Sequence, residues 1–206
     1  MAKRKIEEEI QNPEEEQLEN VGQEEVEETQ DSGIRCLVYQ VKDGETKVAE
    51  TLDNGWDAEG IALVDSNGET LLVVALTELQ LTFGGENSED LEEDVASPSM
   101  TSMDGEQRSA FLLAFYQIAE MSVPALNESS VFGWLPSGGE MALIYANKDA
   151  INEKIESIGG DTIGDGKYWT SQRFSNDRMW SCNMGDGTFG IALGTASVAG
   201  VRPVKK

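Results

Sequence analysis

Short apolar runs separated by Gly, Asn and Asp turns occupy both ends of residues 33–206, and this pattern restricts the fold more than any other feature. Runs of this length, bounded by such turns, are typical of antiparallel strands. The predicted strands are two hairpins at 33–50 and 61–76, then short strands at 168–174, 178–184, 188–194 and 200–204. Because residues 71–75 are apolar at every position, we expect that strand to be buried on both faces.

Apolar residues recur at helical spacing between these two β-rich parts. The predicted helices are 106–121, a stretch that begins near Ser137, and a stretch that Asp149 caps and Gly159-Gly160 ends. Their predicted core faces are Phe111, Leu112, Phe115, Ile118 and Ala119, then Met141, Ile144 and Tyr145, then Ile151, Ile155 and Ile158. The sequence therefore predicts an α+β fold with small antiparallel sheets, two to three helices and a loop-rich C-terminal half.

Two polar segments show no apolar period and flank or interrupt this domain. Residues 1–32 are strongly acidic and have few apolar side chains, so we predict a disordered tail that either keeps the protein soluble or anchors it to a partner. Residues 84–105 are predicted to form a long polar surface loop. The predicted domain is therefore 33–206, with the 33–50 hairpin at its start.

The charge and the missing residue types exclude several classes of function. A formal net charge of −24, from 15 basic and 39 acidic residues, argues against nucleic-acid binding. No apolar run reaches the roughly 18 residues that would span a bilayer, and no apolar stretch follows the basic start, so we expect no membrane insertion and a cytoplasmic or virion location. Histidine, the most frequent general base, is absent from the chain. We therefore predict that the protein is not an enzyme.

Metal and cofactor sites have little support in the sequence. The segment 161–166 resembles part of a calcium loop but lacks the ligand spacing of an EF-hand, so a polar loop is the favoured interpretation. Cys36 and Cys182 lie far apart in the chain and could form one disulfide or remain two inert thiols. We expect no metal ion and no cofactor.

A set of motifs in the C-terminal half resembles a known family. In order, the motifs are Trp134-Leu135-Pro136-Ser137, Gly159-Gly160, Tyr168-Trp169-Thr170-Ser171, Trp180, Gly187 and Val201-Arg202-Pro203-Val204. This series resembles the "major paralogous" domains of gut bacteria and their phages, closely over 133–204 and loosely over 58–132. The resemblance implies a C-type-lectin-like fold, shared with formylglycine-generating enzymes and with the variable proteins of diversity-generating retroelements. The lectin calcium motifs and the copper-binding cysteine pair are absent, so neither activity is implied.

In the variable proteins of that fold, the segment before the terminal Val-Arg-Pro-Val is rewritten to bind new ligands. The resemblance thus implies a display segment at 168–204 whose aromatic residues face the core and whose turns contact a protein or glycan ligand on a cell surface. The residues expected in the core are Trp134, Trp169, Phe174, Trp180 and Phe189. The residues expected to contact ligand are Ser175, Asn176, Asp177, Arg178, Ser181, Asn183, Asp186, Thr188, Ile191, Thr195 and Ser197.

The sequence is compatible with two kinds of protein that would carry such a surface. The protein could be a receptor-binding or display protein, attached to a virion through its N-terminal region or forming a homo-oligomer. Alternatively, it could be a structural decoration or assembly protein of a virion that binds no variable ligand.

Overall fold

A computed structural model of the chain describes residues 33–84 and 101–206, apart from Ala119 and Asn176. The acidic tail predicted at 1–32 and residues 85–100 of the predicted polar loop lie outside the described residues. Within the described part, ten strands form two five-stranded sheets and four helices pack against them, which confirms the predicted α+β class.

The first sheet contains both hairpins predicted for the N-terminal third. Its strands are β1 (Arg35–Lys42), β2 (Glu45–Ala49), β3 (Asp57–Val64), β4 (Thr70–Ala75) and β10 (Val204–Lys205). Their order is β10-β4-β3-β1-β2, and every pairing is antiparallel. Asp43 and Gly44 both have positive φ angles, of 52° and 85°, as the tight turn between β1 and β2 requires. Residues 72–75 of β4 are buried on both faces, as the continuous apolar run predicted.

The second sheet is built mainly from the C-terminal segment. Its strands are β5 (Leu79–Thr82), β6 (Lys167–Ser175), β7 (Arg178–Asn183), β8 (Phe189–Leu193) and β9 (Val198–Val201). The order is β5-β9-β6-β7-β8, so β8 lies at one edge of the sheet. The pairings are antiparallel except for a parallel bridge of β6 with β9 at Tyr168 and Gly200. β5 is not among the predicted strands.

Four helices occupy the middle of the chain. They are α1 (Gly105–Ile118), α2 (Pro124–Phe132), α3 (Gly138–Ala146) and α4 (Lys148–Ile158). Ser137 begins α3 with a capping box, because its hydroxyl accepts from the Glu140 N–H while the Glu140 carboxylate accepts from the Ser137 N–H. The predicted cap at Asp149 is wrong: α4 is preceded by Asn147, and Asp149 lies in its first turn. Gly159 ends α4 in the left-handed conformation, with φ of 76°.

The core face predicted for α1 is right at Leu112, which is buried, and wrong at Phe111 and Ile118. Phe111 and Ile118 are 43% and 86% exposed, and Phe115 is only partly buried. The helix instead buries Gly105, Ser109, Leu112 and Tyr116. The buried side centres on Leu112 and Tyr116, and on it the Ser109 hydroxyl exchanges hydrogen bonds with the backbone of Leu135. A buried serine belongs to this face, and apolar spacing misses it. Ala119, the last predicted core residue, lies outside the described residues.

The helices cover the sheets in two groups. One core cluster joins the first sheet to α3 and α4 and includes Ile61, Met141 and Ile155. A second joins the second sheet to α1 and α2, around Trp169 and Leu126. Within the described residues, no helix is long and apolar enough to cross a membrane.

Candidate functional site

One side of the second sheet presents large apolar side chains to solvent. Arg178 is paired with Leu193 and Trp180 with Ile191, and directly opposed residues of an antiparallel pair lie on the same side of the sheet. Phe174 at the end of β6 contacts Trp180 edge to face, with ring centroids 5.6 Å apart and planes at 84°. Phe174, Ile191 and Leu193 are 44%, 38% and 40% exposed, and Trp180 is half-buried. We call these five residues the aromatic face.

The opposite side of the same strands belongs to the core. Met179 and Ser181, which alternate with Arg178 and Trp180 along β7, are buried. Met179 packs in the cluster of Trp169, whose indole N–H donates to the Leu81 carbonyl oxygen at 2.9 Å. Over residues 178–181 the alternation of β7 thus separates residues that stabilise the sheet from residues that face solvent. Cys182, on the same side of the strand as Trp180, is again buried, in the first core cluster.

The residues expected to contact ligand lie in different environments. The exposed ones are Asp177, Arg178, Asp186, Thr188, Ile191 and Thr195, and those of intermediate exposure are Ser175, Asn183 and Ser197. Ser181 is buried with its hydroxyl directed at the Gly190 carbonyl oxygen, so it does not present its side chain to a ligand as expected. Asn176 lies outside the described residues.

The exposed candidates fall into two groups at opposite ends of the β7–β8 hairpin. β7 is six residues long, so its ends are about 17 Å apart. At one end, Arg178 and Ile191 belong to the aromatic face and Asp177 lies beside Arg178, with a nitrogen–oxygen distance of 3.9 Å. At the other end, Asn183, Asp186 and Thr188 form the turn between the two strands. The structure therefore does not gather all the candidates into one site.

The turn group is engaged in local hydrogen bonds. The Asp186 carboxylate accepts from the backbone N–H and the hydroxyl of Thr188, at 2.9 and 2.6 Å, and these two bonds lower the pKa of Asp186. The Asn183 side chain accepts from the Gly185 N–H at 3.0 Å. These side chains hold the turn, whereas those of the aromatic face have a free apolar surface. The aromatic face is therefore the better candidate site.

The expectation that the aromatic residues of 168–204 all face the core is only partly met. Trp169 is fully buried, and Phe189 and Trp134 pack at the margin of the first core cluster. Phe174 and Trp180 instead contact each other on the solvent side, so their assignment to the core is wrong. One signal in the sequence could have placed Trp180 on the exposed side of the sheet. Trp180 lies two residues from Arg178, so the two side chains lie on the same side of the strand, and an arginine belongs on a solvated face.

Two motif residues near the ends of segment 168–204, Tyr168 and Arg202, bond to the same carboxylate. Arg202 is buried and donates to the Ala75 and Thr162 carbonyl oxygens, at 3.1 and 3.2 Å, and to the Glu78 carboxylate at 3.0 Å. The Tyr168 hydroxyl also donates to Glu78, and burial, followed by the Glu78 carboxylate, raises the pKa of Tyr168 above its usual range. Glu78, which no motif singled out, is thus the central acceptor of this network.

Neither cysteine has the properties of a nucleophile. Cys36 and Cys182 are both buried and unbonded, so the disulfide considered from the sequence is not formed. Burial raises the pKa of each thiol to about 11. Thiolate is the reactive form, and burial suppresses it here.

The loop that resembled part of a calcium site uses its carboxylates elsewhere. Asp161 accepts from the Glu78 N–H at 3.3 Å, and Asp165 pairs with Lys148 at 2.5 Å. Within the described residues, no three His, Cys, Asp or Glu side chains are grouped to hold a metal ion.

Comparisons with known proteins bear on the fold. No family model matches the chain, and no curated protein matches it. Among solved structures, the chain is similar to a fimbrial protein from Bacteroides ovatus, with a TM-score of 0.54 and 16% identity. The match covers 65% of this chain and 35% of the fimbrial protein, so the chain spans about a third of that protein's length. At this identity the similarity concerns the fold alone.

Proposed function

We propose that this protein is a non-enzymatic binding protein that recognises a protein or glycan ligand on a cell surface through its aromatic face. The observation that carries the proposal is the exposed Phe174–Trp180 ring pair with Ile191 and Leu193 beside it and Arg178 at its border. Aromatic residues and arginine contribute most of the binding energy in protein interfaces, and clustered exposed apolar side chains mark interaction sites.

The resemblance of the 133–204 motifs supports a more specific version of the proposal. We propose that the domain is a C-type-lectin-like scaffold and that residues 175–199 are its variable part, carried on a virion or a related display particle. The Arg202–Glu78–Tyr168 network supports this division, because it holds the segment at both ends through the buried side chains of Tyr168 and Arg202. A reverse-transcriptase gene beside a near-copy of the DNA encoding about 168–202 would support diversification, and a genome without such a copy would contradict it.

A second function uses the same surface differently. The similarity to a fimbrial protein favours an assembly subunit whose aromatic face packs permanently against a neighbouring subunit. The two functions differ in the oligomeric state that they require. A receptor-binding protein keeps the face open, whereas an assembly subunit covers it at working concentration.

Binding by the full chain to an array of immobilised glycans and to intact gut-bacterial cells tests the first function. Trp180→Ala and Arg178→Ala are the variants of the aromatic face, and Leu52→Ala, at a similarly exposed position on the first-sheet side of the chain, is the control. We expect each face variant to weaken binding at least about tenfold, while the control stays within about twofold. Binding that survives both face variants contradicts the proposal. Sedimentation that detects an oligomer, dispersed by the same variants, supports the assembly subunit instead.

A further inference from the structure

The outer edge of β8 is a backbone surface that the strands around it leave open. Two hydrogen bonds fix the register of the β7–β8 pair, from the Asn183 N–H to the Thr188 oxygen at 2.8 Å and from the Gly194 N–H to the Asp177 oxygen at 2.9 Å. Bonded and non-bonded residues alternate along an antiparallel pair. Gly190 and Ala192 therefore bond inward to β7, and the backbone groups of Phe189, Ile191 and Leu193 point outward.

The outward N–H and C=O groups of β8 form few hydrogen bonds within the described part of the chain. The Leu193 oxygen accepts from the Ser197 N–H at 2.9 Å. No strand among residues 33–84 and 101–206 pairs with the outer side of β8. The N–H and C=O groups of Phe189 and Ile191 are thus available in the spacing that a further strand would need.

β8 also lacks the features that normally protect an edge strand. Exposed edges usually carry charged side chains, proline or a bulge, because an open edge invites pairing with another chain. Of the two edge strands of the first sheet, β2 follows this rule, since it carries Glu45 and Lys47. β8 reads Phe-Gly-Ile-Ala-Leu, with neither a charge nor a proline. β5, at the other edge of the second sheet, also has neither a charge nor a proline. The β8 edge differs from it in having the aromatic face beside it.

The side chains next to this edge are those of the aromatic face. Ile191 and Leu193 lie on β8 itself, and Trp180 is the neighbour of Ile191 on β7. A strand added along β8 would place alternate side chains beside Ile191 and Leu193, over the same apolar surface. Backbone bonding would supply affinity and the aromatic face would select the side chains, as in other cases of strand addition.

We propose that the occupant of the β8 edge is an extended, net-basic polypeptide segment of another protein, which adds to the second sheet as a sixth strand. This inference rests on the proposed function and names its ligand class. The charge of the chain favours a basic segment, because the net charge is −24 and the exposed Asp186 lies at the turn end of the hairpin. Asp177, at the other end, already has Arg178 beside it. The same charge disfavours a second copy of this chain, which would bring a like charge to the edge.

A library of short linear peptides, with alternate positions drawn from Val, Ile, Tyr and Lys, is the probe. Peptides selected on the full chain are synthesised, and amide hydrogen exchange is followed by NMR with and without peptide. We expect exchange at Phe189 and Ile191 to slow at least about tenfold in the complex, because these amides become bonded to the added strand. Exchange at Gly190 and Ala192, which already bond to β7, should slow much less.

Two variants at one position separate backbone from side-chain recognition. Ile191→Pro removes the outward N–H and should weaken peptide binding at least about tenfold, whereas Ile191→Val keeps the N–H and should weaken binding much less. If Ile191→Pro fails to fold, N-methylation of alternate peptide nitrogens replaces it. One register of methyl groups should then abolish binding and the other should not.

Several outcomes would overturn the inference. It fails if no peptide is selected, if selected peptides bind without slowing exchange at Phe189 and Ile191, or if sedimentation shows self-association that Ile191→Pro abolishes. The last outcome would assign the edge to a second copy. If Trp180→Ala weakens binding to glycans or cells while Ile191→Pro does not, the proposed function stands and strand addition alone falls. If Trp180→Ala affects no ligand at all, the proposed function itself is wrong.

Discussion

Replacing Trp169 and Trp180 by alanine, one at a time, distinguishes the scaffold from the aromatic face with the same chemical change. Trp169 is fully buried, donates its indole N–H to the Leu81 oxygen and contacts Phe83 edge to face at 5.9 Å. Trp180 is half-buried and contacts Phe174 on the solvent side. Both residues lie in central strands of the same sheet, so the difference between the two variants reports burial and packing.

The expected magnitudes differ by a factor of two or more. Deleting a buried tryptophan side chain costs about 3–5 kcal/mol of unfolding free energy, since it removes apolar contacts and leaves a cavity. Trp169→Ala should therefore cost at least about 3 kcal/mol. Trp180→Ala loses an aromatic contact worth about 0.5–1.5 kcal/mol and leaves no enclosed cavity, so its cost should stay near about 1.5 kcal/mol.

Urea unfolding followed by far-UV circular dichroism measures both costs. With a denaturant dependence of about 2 kcal/mol per molar urea, the midpoint should fall by about 1.5 M or more for Trp169→Ala and by less than about 0.8 M for Trp180→Ala. The slope should be the same in both variants. If Trp180→Ala costs as much as Trp169→Ala, then Trp180 stabilises the scaffold, and its assignment to a binding surface is wrong.

Three further substitutions or reactions test the buried polar groups. Burial raises the pKa of Glu140, so this carboxyl group binds a proton more readily in the folded than in the unfolded state. The stability of the wild type relative to Glu140→Gln should therefore decline as pH rises, as measured by urea titrations between about pH 4 and pH 8. A difference that stays constant with pH would contradict this. Arg202→Met leaves the Glu78 carboxylate without its buried partner and should cost about 3 kcal/mol in the same assay, whereas a loss below about 1 kcal/mol would show that the network is dispensable. Cys36 and Cys182, with pKa values raised from 9.0 to about 11, should react with a thiol reagent about a hundredfold more slowly in the folded protein than in urea, and equal rates would refute their burial.

Much of the fold follows from local patterns in the sequence. The first two hairpins have turn residues between short apolar runs, and α4 has isoleucines at helical spacing and a glycine at its end. The single strand predicted at 200–204 is wrong, because Arg202-Pro203 separates β9 of the second sheet from β10 of the first. Local patterns do predict β6, β7 and β8, with ends that differ by a residue or two. Such elements are predictable because the residues that define them are neighbours in the chain.

The missed elements depend on distant contacts. β5 has only four residues, of which Gln80 and Thr82 are polar, and it forms because β9 pairs with it. α2 contains serines and an asparagine, which favour helices weakly, and it is held by the burial of Ala125 and Leu126. A local pattern carries no information about these partners.

The residues expected to contact ligand and the aromatic face overlap only in part. The segment 168–204 does contain the aromatic face, and Arg178 and Ile191 were among the expected residues. Phe174 and Trp180 were assigned to the core because aromatic side chains in short-strand domains are usually buried. Only the pairing of β7 with β8 shows which side of the sheet they occupy.

The two places where the chain passes from one sheet to the other lie side by side. The first follows β4 and includes Glu78, and the second is Arg202-Pro203 between β9 and β10. They are joined by the Ala75 N–H bond to the Pro203 oxygen, at 2.9 Å, and by the bonds from Arg202 to Ala75 and Glu78. Opening either sheet therefore disturbs both crossings at once. The two sheets should melt as a single cooperative unit, so a ligand that stabilises the β8 edge would also raise the unfolding free energy of the first sheet.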